Sequence, residues 1–92
     1  MRFNSNHKFL RDRFLVNLKH STCDVRIDRK SIFGNPFKNG TREEVIEKYY
    51  QYVLERNELI EEIKKLRGKR LGCWCYPLYC HGDILIKIIY GC

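Results

Sequence analysis

The stretch Cys73-Trp74-Cys75-Tyr76-Pro77-Leu78-Tyr79-Cys80-His81-Gly82-Asp83 places three thiols, one imidazole and one carboxylate within eleven residues. Such a grouping supports three kinds of chemistry. Cys73, Cys75, Cys80 and His81 are a sufficient ligand set for tetrahedral zinc, which takes soft thiolates and imidazole. Their C-x-C-x₄-C-H spacing differs from the common knuckle with two intervening residues. Alternatively, Cys80 is a nucleophile at the positive end of a helix, with His81 as base or cationic neighbour. Asp83 would then orient the imidazole or cap the helix. The third reading is core packing, because free cysteine is a small and often buried residue.

A second cluster follows a strand-like segment. It runs Arg29-Lys30-Ser31-Ile32-Phe33-Gly34-Asn35-Pro36-Phe37. Arg29, Ser31 and Asn35 are the candidate ligand-binding residues. Arg29 would clamp a phosphate bidentately, and Asn35 would hydrogen-bond a base or sugar. The competing reading is a structural turn stitched by Asn35 and stapled by Phe33 and Phe37. Tyr49, Tyr50 and Tyr52 lie near Arg42, Lys48 and Arg56, but helical spacing turns Tyr49 and Tyr50 towards a core rather than a nucleobase.

These clusters need elements to hold them. Phe14 to Leu18 is an apolar run of strand length. Cys23, Val25 and Ile27 alternate with Asp24, Arg26 and Asp28, the period of a half-buried strand, and the short connection predicts a hairpin. Gly34-Asn35-Pro36 predicts a structured loop. Thr41 and Glu44 make a capping box. Val45, Ile46, Tyr49, Tyr50, Val53 and Leu54 then mark one helical face. Asn57 is placed to cap a second helix with Leu59, Ile60, Ile63 and Leu66 inward, ended by Gly68. Residues 69–74 read as a third strand, with Cys73 and Cys75 on one face and Trp74 turned into the core. A last helix starts near Asp83. The fold class is α/β (α+β), a small three-stranded mixed sheet packed by about three helices in the order β-β-α-α-β-α. Residues 1–13 are expected to be a loosely held basic arm, and residues 14–92 a single domain. If the second and third strands are parallel neighbours, the Arg29 loop and the cysteine loop open at one edge, where such sheets bind ligands.

At 92 residues the chain has room for one domain, which buries only roughly 60–65% of its unfolded surface. Net charge is +7, and residues 1–30 hold eight Lys/Arg against three acids. That bias favours a phosphate-bearing partner, either nucleic acid or a small molecule. Five cysteines cannot all pair with one another. The sequence shows neither a signal-peptide pattern nor an apolar run of about 18 residues. An intracellular, reducing location is expected, where clustered cysteines favour metal or catalysis over disulfides. Cys23 is expected in the strand core and Cys92 as an exposed terminal thiol. The apolar C-terminal segment also suits a homodimer.

Several stretches resemble the domain-of-unknown-function family 4326, found in bacteria, phages and large DNA viruses. They are VNL at 16–18, DVRID at 24–28, Arg29, GNPF at 34–37, TREEVIEKYYQYVL at 41–54 and LRGKRLGCWCYPLYCHGDIL at 66–85. The resemblance covers roughly residues 14–90. It departs at Ile27-Asp28-Arg29, where a glycine more usually precedes the arginine, and at Ser31-Ile32-Phe33, where a Ser-Lys-Trp type sequence is usual. The resemblance implies a compact domain built around the Cys/His loop and supplies no activity. The expected function is zinc binding at the cysteines with nucleic-acid or nucleotide binding. One alternative is an enzyme acting on a nucleotide or nucleobase-like substrate through Cys80, His81 and Asp83. The other is a structural or interaction domain without catalysis.

Overall fold

The structure is a computed structural model that describes residues 2–92. Three short strands, β1 (Leu15–Asn17), β2 (Val25–Arg26) and β3 (Leu71–Cys73), form a sheet in the order β1-β3-β2. Both pairings are parallel, with Leu71 opposite Leu15 on one side and Val25 on the other. The sheet is therefore parallel rather than mixed. The expected hairpin is absent, because β3 lies between the two strands that would have formed it. Short connection length suggested direct pairing, but the central position goes to β3, whose residues Leu71, Gly72 and Cys73 are buried throughout.

Four helices accompany the sheet: α1 (His7–Phe14), α2 (Arg42–Leu54), α3 (Asn57–Lys64) and α4 (His81–Tyr90). The helix α4 is the hub and packs against α1, α2 and α3. Ile84, Leu85 and Ile86 are fully buried there. Isoleucine is a modest helix former, so tertiary burial rather than propensity stabilises this segment. Gly91, with φ of +74°, ends α4 in the left-handed region. The start of α2 follows the sequence signal, since the Glu44 amide donates to Thr41 Oγ1. On its inward face Ile46, Tyr49 and Val53 are buried, whereas Leu54 is exposed. Arg56, not Asn57, occupies the cap position of α3, and no side chain caps that helix.

Of the expected arm at 1–13, residue 1 lies outside the described residues, and residues 2–13 are not loose. They carry most of α1, whose His7, Leu10 and Phe14 recur at helical spacing and turn inward. His7 is buried and stacks on Phe3 with ring centroids 3.8 Å apart. A histidine read as polar hides this stripe in the sequence. Cys92 is also not exposed: it is buried, with Sγ 3.7 Å from His7 Nδ1.

Asp83 ties α1 to α4. Its carboxylate accepts from His7 Nε2 at 2.9 Å, from Arg11 Nε and from the Cys80 amide at 3.0 Å. The last bond is an N3 carboxylate reaching back to the cap residue. Burial pushes the Asp83 pKa up, but the bonds from His7, Arg11 and the Cys80 amide outweigh it and hold the group below its usual value. Removing one partner of a buried ion pair strands the other. Asp83→Ala is therefore expected to lower unfolding free energy by about 3–5 kcal/mol, read from a denaturant midpoint. Because the folded pKa lies below the unfolded one, the stabilisation is complete above about pH 4 and is lost as pH falls through the folded value. Acid titration of stability should fall less steeply below that pH in Asp83→Asn.

Candidate functional site

A cleft of about 310 Å³ opens where β2 and β3 end, between the first turns of α2 and α4. Its walls include Asp28, Arg29, Lys30, Asn35, Arg42, Cys73, Trp74, Cys75, Cys80 and His81. The carboxyl edge of a parallel sheet suits a ligand because strand ends and helix N-termini both face it. Here the parallel β2–β3 pair brings the Arg29 loop and the cysteine loop to that edge together.

Several bonds hold the cysteine loop. Asn17 at the end of β1 donates through Nδ2 to the Tyr76 carbonyl at 2.7 Å and the Trp74 carbonyl at 3.3 Å. Arg11 donates to the carbonyls of Pro77 and Leu78. Arg42 donates to the Tyr79 carbonyl at 3.0 Å. Behind the loop, a Cβ at Gly82 would come 2.9 Å from Leu15 Cδ2, so that side chain would have to shift to admit one.

All three loop thiols line the cleft. Cys73 and Cys80 are buried with their Sγ atoms 3.6 Å apart, and Cys75 is half-buried. Hydrogen bonding to Cys73 and Cys75, then burial, raises the Cys80 thiol well above its ordinary pKa, so Cys80 keeps its proton. Cys75 is lowered to about 6, first by the Cys80 hydrogen bond and then by Arg42 against the opposing effect of burial. Cys73 is lowered to about 7, again first by Cys80. Cys75 is thus the most acidic and the most accessible of the three thiols, whereas the sequence pointed to Cys80. Among the described residues, no group of three or more His, Cys, Asp or Glu side chains is arranged to hold a metal ion.

His81 Nε2 lies 2.5 Å from the Ile27 carbonyl oxygen. A carbonyl only accepts, so Nε2 carries the proton. Burial lowers the His81 pKa despite that bond, and the ring is neutral near pH 7. Its Nδ1 therefore keeps a lone pair and is the ring's acceptor. Asp83 does not orient this ring: its oxygens are taken by His7, Arg11 and the Cys80 amide. Of the two roles expected for Asp83, capping is the one its side chain takes, turned back to the helix start.

Arg29 and Asn35 line the cleft, yet both are also stitched into their loop. Arg29 donates to the carbonyls of Asn35 and Phe37. Asn35 donates to the Val45 carbonyl and accepts from the Phe37 amide. Ser31 Oγ donates to the Asp28 carbonyl and lies outside the cleft wall. Gly34 permits this tight loop, because a Cβ there would sit 2.6 Å from both Arg29 Cα and the Asp28 carbonyl oxygen.

Trp74 is 57% exposed and does not enter the core. Strand alternation gives it the side of Gly72, whose nearest neighbours are Leu18 and Cys23. Cys23 is accordingly half-buried on that face rather than in the main core. The Trp74 indole Nε1 donates to Asp28 Oδ2 at 3.2 Å, and Arg26 pairs with the same oxygen. Those two bonds, that of Arg26 foremost, hold the Asp28 carboxyl below its ordinary pKa against burial. Asp28 Oδ1 is buried without a hydrogen-bond partner among the described residues. Asp28, Lys30 and Arg42 were not singled out by motif. Only their place beside loops leaving strand ends marked them, and Arg42 stood in the sequence as a helix-face cation.

The fold and cleft define a small α+β domain whose parallel sheet presents a thiol-rich, cation-lined pocket at its carboxyl edge. The chain belongs to the family described as domain of unknown function DUF4326, whose model matches residues 16–91. It is 36% identical over 87 residues to an uncharacterized protein of Acanthamoeba polyphaga mimivirus, covering 72% of this chain and 66% of that protein. It is 38% identical over 81 residues to an uncharacterized 12.4 kDa protein from the nrdA-td intergenic region of Enterobacteria phage T4. That match covers 82% of this chain and 75% of the phage protein. No solved structure matches. No helix among the described residues is long and apolar enough to cross a membrane.

Thiolate, not thiol, is the reacting form. In the reduced, metal-free protein, iodoacetamide should label Cys75 before Cys73 and Cys80, with a half-maximal rate at the Cys75 pKa of about 6. Arg42→Ala removes a group that lowers that pKa, so the midpoint of the labelling profile should move upward. Preferential labelling of Cys80, or an unmoved midpoint, would contradict the assignment.

Proposed function

We propose that the cleft binds a phosphate-bearing small molecule of the nucleotide kind. One observation carries the reading: Arg29, Lys30 and Arg42 line the same cleft, whose sole acidic side chain, Asp28, is already paired with Arg26. A dianionic phosphate complements that imbalance, and charge-assisted hydrogen bonds supply affinity. The exposed indole of Trp74 offers a face for a nucleobase. The unpartnered Asp28 Oδ1 offers an acceptor for an amino or hydroxyl group, once the indole over that carboxylate shifts. The cleft volume is at the small end of the roughly 300–1,000 Å³ range of small-molecule pockets. His81 Nδ1 and Cys75 are the groups that would act on a bound substrate if the domain is an enzyme.

Trp74 is the chain's single tryptophan, so intrinsic fluorescence reports on this cleft directly. Adenosine and guanosine monophosphates should quench it saturably at low ionic strength, and the unphosphorylated nucleosides should bind more weakly. Arg42→Ala should weaken binding about ten-fold or more, the loss of a charge-assisted hydrogen bond of about 1.5–3 kcal/mol. No saturable change with either nucleotide would defeat the reading.

The thiols support a second occupant. Cys73 and Cys80 are in contact, Cys75 lines the same cleft, and His81 donates Nε2–H to a carbonyl as zinc-bound histidines do. Small side-chain rotations would be needed to gather them around an ion. Protein purified without a metal-affinity step should then contain one zinc per chain and lose thermal stability with a chelator. Zinc-free protein with an unchanged melting temperature would remove this occupant.

A further inference from the structure

One polar side chain of the cleft is left half-satisfied by the protein. Asp28 lies just past β2, lines the cleft and is only 7% exposed. An ionised carboxylate offers about four lone-pair sites, two on each oxygen. Those of Oδ2 are taken by Arg26 and by the indole Nε1–H of Trp74 at 3.2 Å. Oδ1 is buried and accepts from no group among the described residues. The Lys30 amide helps to keep the carboxylate ionised, yet closes no hydrogen bond with Oδ1. A charged acceptor left unpaired in the interior is costly, and in a cleft wall it calls for a donor from a ligand. That donor is a neutral one, because Arg29, Lys30 and Arg42 share the cleft and disfavour a further cation.

The place of Asp28 in the cleft identifies the donor. Asp28 bonds the Trp74 indole on one side and is followed directly by Arg29 and Lys30 on the other. A nucleotide with its base against that indole and its phosphate among those cations brings its sugar to Asp28, because the sugar joins the two. Ribose carries two neighbouring hydroxyls, matching the two open sites on Oδ1, whereas 2′-deoxyribose lacks one of them. We propose that Asp28 makes this cleft selective for ribonucleotides over 2′-deoxyribonucleotides by accepting from the 2′-hydroxyl at Oδ1, a selection that rests on nucleotide binding in the cleft. As the sugar enters, the exposed indole tilts from its bond to Oδ2 while its face stays against the base.

The test is equilibrium dialysis of the full-length protein at low ionic strength against adenosine 5′-monophosphate and its 2′-deoxy form. The ribonucleotide should bind about ten-fold or more tightly, the ratio expected for one hydrogen bond to a charged acceptor. In Asp28→Asn the amide oxygen stays with its two donors, Arg26 and the indole, so the nitrogen takes the place of Oδ1 and the ratio should shrink. The wild-type comparison needs no variant to fold. Equal affinity for the two nucleotides would overturn the sugar assignment and leave nucleotide binding intact. Guanosine 5′-monophosphate binding more tightly than inosine 5′-monophosphate, with no preference between the sugars, would give Oδ1 to the base amine and overturn the proposal as well. An unchanged ratio in folded Asp28→Asn would remove Asp28 from the selection. No binding of any of these nucleotides would overturn both readings together.

Discussion

A single buried carboxylate organises the functional end of this domain. Asp83 occupies the third position of α4, where the helix offers unsatisfied amides, and it reaches back to the amide of Cys80. Alone there, a buried charge would be costly. His7 and Arg11 from α1 neutralise it, and Arg11 extends the same guanidinium to the Pro77 and Leu78 carbonyls. One interaction thus caps α4, docks α1 and fastens the loop that carries the cysteines. The N-terminal helix belongs to the site's support.

The cleft inherits its character from a second constraint, the parallel pairing of β2 and β3. Parallel strands send both of their following loops to one edge. The Arg29 loop supplies positive charge and a tightly stitched backbone, and the β3 loop supplies thiols and an exposed indole. Helix α4 begins at the same place, which puts His81 beside them with its tautomer fixed by the Ile27 carbonyl. Thiol activation follows from this arrangement. Cys80 lies in the interior and keeps its proton, whereas Cys75 is half-buried on the cleft wall that also carries Arg42. The neighbour that is most deeply buried is therefore the worse nucleophile and the better donor.

Much of the scaffold was legible in the sequence. Thr41 and Glu44 announced the start of α2, and the Cys/His loop stood out by composition, whereas α3 ends at Lys64, before the Gly68 expected to stop it. The family resemblance rested on GNPF and the CHGD segment, and the family match covers residues 16–91. What stayed hidden depended on partners distant in the chain. His7 reads as a polar residue until Asp83, 76 positions away, is placed beside it. Trp74 reads as a core residue until the face it points to proves to have little over it. Cys92 reads as a frayed end until α1 covers it.

The amino-acid sequence by itself determined the types of every element but α1, the cap of α2, the balance of charge and which residues could do chemistry, because propensity, periodicity and side-chain chemistry are local properties. The tertiary structure alone decided which of those residues act together. Strand order placed β3 between β1 and β2, and with it the meeting of Arg42, Cys75 and Cys80. It also spent Asp83 on structure rather than on His81. Those outcomes follow from long-range packing and from the cost of leaving a buried charge or hydrogen-bonding group unpaired, and no stretch of contiguous sequence records that cost.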